Sequence, residues 1–358
     1  MREYRVAVIP GDGIGIDTID QAVRTLQTVC EVHGGLSLSF ECYDWGCQYY
    51  LRTGEMMPKD GLNILADHDA ILLGAVGFPS VPDHVSLWGL LIPIRRAFRQ
   101  YVNLRPVKLL PGVWTPIKDK GPEDIDFVVV RENTEGLYTS TGGFLKKGTP
   151  DEVAVQESVN TRMGVERCLR YAFEYARRPD RHGRLTLCGK TNVLTYAWDL
   201  WWRAFNEIGD ADYPDVKRDY AHVDAISMWF LKNPEWFDVI VTDNMFGDII
   251  TDQAAMIQGG LGVAAGGNIH PERCSMFEPM GGSAPKYEGL NVINPLAAIA
   301  AAGMMLDFLH RPEAAVEVEK GMVYAISKME SLAAGQMGMG TSDVGDLVAR
   351  YVAEGGAA

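Results

Sequence analysis

Two carboxylates set four residues apart give this chain its clearest chemical signal. Asp248 and Asp252 lie in Asp243-Asn244-Met245-Phe246-Gly247-Asp248-Ile249-Ile250-Thr251-Asp252. The apolar run before it, 237–241, reads as a buried strand, and the stretch itself opens a helix. On a helix these two positions share a face, one turn apart. Like charges there repel, and nothing nearby in sequence neutralises them. A divalent cation would, and an oxygen-only ligand set suits Mg²⁺ or Mn²⁺. The competing reading is a solvated acidic face near a helix N-terminus, where the dipole favours carboxylates.

Arginines are the next group. Arg95, Arg105 and Arg131 follow three different elements, the last two at a strand start and a strand end. A guanidinium is suited to bidentate carboxylate recognition, so three converging would hold a dianionic acid. Arg96 and Arg99 read better as surface ion-pairing residues. Lys190 ends an apolar strand, where burial and neighbouring charge can tune it toward base duty. Tyr138 is a candidate proton donor. Asp224 opens a helix after a strand and is either a cap or a third metal ligand.

Two glycine loops follow the same logic. Gly11-Asp12-Gly13-Ile14-Gly15 has its third glycine one position too early for a dinucleotide fingerprint, which argues against an ordinary Rossmann site. Gly281-Gly282-Ser283-Ala284-Pro285-Lys286-Tyr287 is a small-residue loop that lets backbone approach a ligand. The cation of Lys286 and the hydroxyl of Tyr287 would suit a phosphate; the plainer reading is a turn.

These groups need a scaffold. Strand and helix alternate from residue 4 to about 255, which means a parallel, doubly wound α/β sheet. One helix is predicted over 86–100, and hairpin strands over 135–144 and 153–159. Beyond 255 the sequence predicts loop and then three helices, with no further strand. The sheet pattern weakens near 100 and again after 255. The expected layout is therefore a discontinuous large domain, 1–101 with 255–358, and an inserted small domain, 102–254.

Bulk properties narrow the class. The chain has 358 residues, 47% hydrophobic and 22% charged, as a globular protein does. A net charge of −14 argues against nucleic acid as a partner. No apolar stretch reaches membrane-spanning length, and no signal peptide is read at the N-terminus. The cysteines, Cys30, Cys42, Cys47, Cys168, Cys188 and Cys274, show no zinc or C-x-x-C spacing and read as reduced thiols of a cytoplasmic protein.

In order along the chain, Pro10 to Gly15, Asn103 to Pro106, Arg131-Glu132-Asn133-Thr134-Glu135-Gly136-Leu137-Tyr138, Lys190-Thr191-Asn192, Val223-Asp224-Ala225, Asn244 to Asp252 and Gly282 to Pro285 are a specific set. Over nearly its whole length the chain resembles the β-decarboxylating dehydrogenases, the isocitrate and isopropylmalate dehydrogenase family with its homoisocitrate, D-malate and tartrate members. The resemblance implies a two-domain, non-Rossmann α/β fold like that of isopropylmalate dehydrogenase. In it the large domain binds the cofactor, and the small one carries dimerisation, metal and substrate residues. It implies a homodimer in which Asp248 and Asp252 bind Mg²⁺ or Mn²⁺ with Asp224 of the partner. Lys190, also from the partner, would assist proton removal from the substrate hydroxyl. Arg95, Arg105 and Arg131 would hold carboxylates, and Tyr138 would protonate the carbon left by CO₂. Ile14, Gly74, Gly282, Ser283, Ala284, Pro285, Lys286, Tyr287 and Asn294 would line the NAD or NADP site.

A bulky pocket wall such as Trp88 would favour a small substrate, and Val81 to Gly89 resembles the tartrate and D-malate branch. So do Asn268 to Arg273 and Pro234 to Asp238. Isocitrate enzymes carry a serine and an asparagine six and four residues before the first clasp arginine; here those are Gly89 and Leu91. Apolar Leu91, Ile92 and Val193 would instead receive an isopropyl group, so isopropylmalate is the alternative substrate. Lys286 stands where NAD-dependent members carry an aspartate, and Gly281 where they carry a histidine. The segment 335–342 offers no Tyr and Arg to complete a phosphate clamp. These departures imply NAD use with unusual tolerance of NADP, or a switch to NADP. A non-catalytic family member is the contrasting hypothesis, and it would have lost a metal ligand, Lys190 or Tyr138; all are present.

Overall fold

The computed structural model describes residues 2–356, leaving 1 and 357–358 outside the description. The chain forms two compact units: Met1–Gln100, Leu109–Pro116 and Gln258–Ala358 make the first, Tyr101–Lys108 and Ile117–Ile257 the second. The sequence assigns 102–254 whole to the inserted domain. The structure returns 109–116 to the first unit, because its apolar side chains pack there. Leu109 and Leu110 are buried, and Val113 lies against Gly259.

The strands run in chain order. β1 (Arg2–Gly11), β2 (Leu36–Cys42) and β3 (Ala70–Ala75) belong to the first unit. β4 (Val102–Lys108), β5 (Asp126–Glu132), β6 (Gly142–Leu145), β7 (Val153–Gln156), β8 (Arg184–Gly189), β9 (Lys217–His222) and β10 (Val239–Thr242) belong to the second. β11 (Ala265–Ile269) and β12 (Ser275–Pro279) return to the first. Within the first unit the order is β2-β1-β3-β12-β11, with only β11 antiparallel to its neighbour β12. Within the second it is β4-β5-β10-β8-β9, with only β4 antiparallel to β5. β3 and β10 are buried at every position, as parallel strands covered on both faces are.

β11 and β12 correct the expectation that only helices follow residue 255. Ala265-Gly266-Gly267-Asn268-Ile269 is buried throughout and carries two glycines, so no polar face exists to give it a period of two. The hairpin is also shorter than predicted. β6 and β7 pair over four residues each, all exposed, while Leu137–Thr139 is a 3₁₀ turn.

The helices are α1 (Ile14–Val32), α2 (Cys47–Thr53), α3 (Gly61–Ala66), α4 (Asp83–Ser86) and α5 (Ile92–Ala97), then α6 (Arg162–Ala176), α7 (Thr195–Asp212), α8 (Val223–Lys232) and α9 (Asn244–Ile257), then α10 (Leu296–Phe308), α11 (Pro312–Ile326) and α12 (Thr341–Ala353). α10 is apolar all round and packs centrally in the first unit, against α1, α11, β11 and β12. The single helix predicted over 86–100 is in fact α4, a π-turn at Leu87–Leu91, and α5. The buried residues explain the π-turn. Ser86, Leu90, Ile94 and Phe98 are buried at a constant spacing of four. In a helix of 3.6 residues per turn such a stripe drifts by about 40° per step. One extra residue in a π-turn takes back about 100° and keeps the stripe on the core.

Candidate active site

In the second unit, the carboxyl ends of parallel strands carry the polar residues, where α/β sheets place their ligands. Arg131 lies near the end of β5 and Lys190 directly after β8. Asp243 follows β10 and starts α9, its Oδ1 accepting the Phe246 N–H at 2.8 Å.

Arg131 is buried, and its guanidinium organises the centre. Nη1 donates to Asp248 Oδ1 at 2.6 Å, while Nε and Nη2 donate to Asn244 Oδ1 at 3.1 and 2.7 Å. The Tyr138 hydroxyl donates to the other Asp248 oxygen at 3.0 Å, and its ring centroid lies 5.5 Å from the Arg131 guanidinium carbon. α9 comes this close to Arg131 because position 247 has no side chain. A Cβ there would stand 2.4 Å from Arg131 Cγ. Gly247→Ala is therefore expected to destabilise the fold by about 1–3 kcal/mol, seen as a lower midpoint in thermal denaturation. An unchanged midpoint would mean the Arg131 stem yields without cost.

Asp252 lies one turn beyond Asp248. Burial, and then the Asp248 carboxylate, push its pKa up from the usual range, while Arg105 and Arg131 pull it down. Arg105 is buried, and its Nε donates to Asn103 Oδ1 at 2.5 Å. Register explains the convergence: Asn103 on β4 is the cross-strand partner of Arg131 on β5. Asp243, just upstream, has its pKa raised to about 6 by burial first and by the Glu132 carboxylate further.

The structure thus gathers Arg105, Arg131, Tyr138, Asp248 and Asp252. Asp224 does not join them as a third acid. It is exposed on α8 and accepts from Lys190 Nζ at 2.5 Å, a contact that lowers its pKa. Among the described residues, no three metal-ligating side chains of one chain form a group. Two carboxylates on one face, one of them charged against its neighbour, still fit a hard cation in donor type. Val193, three residues past Lys190, is 65% exposed.

Arg95 belongs to the first unit. Its Nη2 donates to Glu278 Oε1 at 3.2 Å, and Asn268 Nδ2 donates to the same oxygen at 2.9 Å. Leu91 packs against the buried cluster that holds Leu90 and Ile94. Gly89 faces the core rather than a ligand, since a Cβ there would lie 2.5 Å from Met56 Cγ. Trp88 stacks on Arg96, whose guanidinium carbon is 4.8 Å from the ring centroid.

Also wholly within the first unit is a cavity of about 250 Å³, lined by Ile14, Ala75, Leu261, Gly282, Asn294 and Ala298 among others. Asn294 is 7% exposed, and its Nδ2 has no partner among the described residues. A buried amide donor of that kind fits a ligand acceptor. Gly74 sits in β3 against Pro10 and leaves the wall to Ala75. Ser283 to Tyr287 form the adjoining loop. The Ile14 N–H donates to Ser283 O at 2.8 Å, Ala284 holds a left-handed φ of 33°, and Lys286 Nζ is 4.7 Å from the Tyr287 ring centroid. Strain at a non-glycine residue is characteristic of functional loops.

Of the positioning residues, the sequence reading quotes Asn244, Asn103 and Asn268 within motifs but gives them no role of their own, and it passes over Glu278. Asn103 was open to detection, because residues two apart on a strand share a face. Glu278 was not, since its strand gives no periodic signal.

The fold and this polar centre define an α/β enzyme with an acid-rich, arginine-lined site. Residues 5–348 match the sequence profile described as isocitrate/isopropylmalate dehydrogenase. A 3-isopropylmalate dehydrogenase of Thermobifida fusca is 49% identical over 99% of both chains. A decarboxylating D-malate dehydrogenase of Escherichia coli is 47% identical over 92% of each. A probable tartrate dehydrogenase/decarboxylase of Bacillus subtilis is 42% identical over 96% of this chain and 94% of that one. Among solved structures, isocitrate dehydrogenase from Methylococcus capsulatus superposes with a TM-score of 0.85 at 32% identity, covering 98% of this chain and 99% of that one. The chain belongs to the isocitrate/isopropylmalate dehydrogenase family, and within it is a decarboxylating dehydrogenase of hydroxy acids. The resemblance and the α/β fold class read from the motifs are both borne out.

Proposed function

We propose that the protein oxidises and decarboxylates a small 2-hydroxy dicarboxylic acid such as D-malate or tartrate, using NAD or NADP and Mg²⁺ or Mn²⁺. The observation that carries this is the bonding of Asp248 to Arg131 and Tyr138 with Asp252 one turn away. Bound there, a cation supplies Lewis-acid polarisation of the 2-keto oxygen, and the nicotinamide supplies hydride acceptance. Arg105 and Arg131, with Arg95, bind the carboxylates and orient C2 and the β-carboxylate. Lys190 takes the proton of the 2-hydroxyl, and Tyr138 protonates the carbon that CO₂ leaves. Ile14, Gly74, Gly282 to Tyr287 and Asn294 hold the dinucleotide in the first unit. Lys286 beside Tyr287 gives that site tolerance of a 2′-phosphate.

Asp224 and Lys190 of the partner subunit complete the site in a homodimer. Supporting a second copy, α8 and α9 expose Met228, Leu231, Ile249 and Met256, and the β6–β7 hairpin exposes Phe144 and Leu145. Large apolar side chains left exposed in this way are a usual feature of association surfaces. The net charge of −14 disfavours nucleic acid. No helix among the described residues is long and apolar enough to cross a membrane; a cytoplasmic setting is our reading. A 3-isopropylmalate dehydrogenase is the second reading, favoured by apolar Leu91, Ile92 and Val193 and by the Thermobifida relative.

The test is reduced-cofactor absorbance with Mn²⁺ and D-malate, both tartrates, 3-isopropylmalate and isocitrate, each with NAD and NADP. Turnover of D-malate or tartrate is the expected result. Turnover of isopropylmalate alone would install the second reading, and silence on every acid would remove both.

A further inference from the structure

β8 and β9 pair in register as far as Gly189 and His222, where their ladder ends. From there the two chains part. One turns at Lys190 toward α7, and the other enters α8 at Val223 and presents Asp224. β9 is also an edge strand, with β8 as its one neighbour in the sheet. Yet Lys190 Nζ and Asp224 Oδ1 meet at 2.5 Å beyond the end of the ladder. A lysine stem is long and flexible, and Asp224 is exposed, so that contact alone is a weak tether.

The Tyr220 hydroxyl on β9 supplies a stronger one. It accepts the Thr191 N–H at 3.0 Å and lies 2.9 Å from Thr191 Oγ1 and 3.0 Å from His222 Nδ1. One arrangement of protons satisfies every group: the Thr191 N–H and hydroxyl donate to the phenolic oxygen, and the phenol donates to His222 Nδ1. Thr191 directly follows Lys190, so the bond grips the Lys190 turn at its backbone. The Lys190 carbonyl accepts the Val193 and Leu194 N–H groups at 3.2 and 3.0 Å and closes the turn from the other side. The Tyr220 ring is in turn held edge-on by Trp202 of α7 and by His222, each with its centroid 5.2 Å away.

We propose that Tyr220 is a positioning residue for the reaction: it docks the Lys190 turn onto β9 and so places the Lys190 amine where it takes the substrate proton. This rests on the reading of Lys190 as that proton acceptor. Misplacing a catalytic group by about 1 Å costs on the order of 10²-fold in rate. Asp224 rides on β9 and α8 themselves and keeps its place without the Tyr220 hydroxyl.

The experiment measures kcat, both KM values, Mn²⁺ affinity and melting temperature for Tyr220→Phe, Thr191→Val, Lys190→Met and the double variant Tyr220→Phe with Lys190→Met. The substrate is whichever of D-malate, the tartrates and 3-isopropylmalate the wild type turns over fastest. Phenylalanine keeps the ring against Trp202 and removes only the hydroxyl, so the variant should fold with a melting temperature near that of the wild type. Tyr220→Phe should lower kcat by about 10- to 100-fold and leave Mn²⁺ affinity and the dinucleotide KM unchanged. Thr191→Val keeps its N–H and should retain most of kcat. Because Tyr220 acts through Lys190, adding Tyr220→Phe to Lys190→Met should cost less than about a further twofold. The same loss in both backgrounds would mean a general effect on the fold and overturn the assignment, as would an unchanged kcat in Tyr220→Phe. Normal turnover by Lys190→Met would instead bring down the reading of Lys190, and a wild type silent on every acid the dicarboxylate reading; the role of Tyr220 falls with either.

Discussion

Asp248→Asn is expected to abolish a Mn²⁺-dependent rise in melting temperature and to lower turnover by about 10³-fold or more. A ligand that binds the native state stabilises it by mass action, so the thermal shift reports the cation whether or not the reaction proceeds. Asp248 is bonded by Arg131 and Tyr138, and an asparagine keeps that shape while removing the charge the cation needs. The pH dependence has a definite sign. The pKa of Asp252 is raised by burial and by Asp248, so Asp252 holds its proton to higher pH than an ordinary aspartate. Mn²⁺ affinity should fall as pH drops through that raised value and recover above it. Without metal, the two like charges favour the protonated form, so the apo fold loses stability as pH rises through the same interval. Titration calorimetry with Mn²⁺ at several pH values measures the first effect, and metal-free melting curves the second. A Mn²⁺ shift retained in Asp248→Asn would place the cation elsewhere.

Lys190→Met should remove about 10²–10⁴-fold of kcat, the range of a lost general base, and leave dinucleotide affinity intact. The cavity proposed for the dinucleotide lies in the first unit, whereas Lys190 follows β8 in the second. Lys190 is held to Asp224 at 2.5 Å, and that contact lowers the Asp224 pKa. A depressed carboxylate contributes stability above its unfolded pKa and loses it as pH falls through the folded one. The variant should therefore show a flatter acid limb in its melting-temperature profile. Small primary amines should restore part of the turnover of Lys190→Ala if the missing group is a proton acceptor. A variant that turns over normally would remove Lys190 from the chemistry.

Much of this site could be read from residue spacing. Asp248 and Asp252 were visible because i, i+4 on a helix fixes their shared face. Arg131 was visible because it ends a clean apolar run. Other features left no such mark. β11 is buried at every position and carries two glycines, so it has neither alternation nor strong strand propensity. The π-turn contains Gly89, and Pro93 follows it without a backbone N–H to donate, but neither shows that a residue has been added; burial at Ser86, Leu90, Ile94 and Phe98 does. The Arg95–Glu278 pair joins positions 183 apart, a distance that one sequence cannot bridge. Nor does spacing show that Asp224 faces Lys190 within one chain, because that depends on how β8 and β9 align.

The pairing of β3 with β12 also bears on how the chain is made. Ala70 to Leu72 bond alongside Ser275 to Phe277, so roughly 200 residues must be synthesised between the two partners. At about 5–20 residues per second this takes on the order of ten to forty seconds. Throughout that interval the β12-facing edge of β3, apolar and with its backbone groups unsatisfied, has no native neighbour. Nearly all of the second unit leaves the ribosome within the same window. The newborn protein therefore carries an open sheet edge in its first part while its middle is already able to fold, which makes that edge the place where a chaperone, or a second nascent chain, would find it.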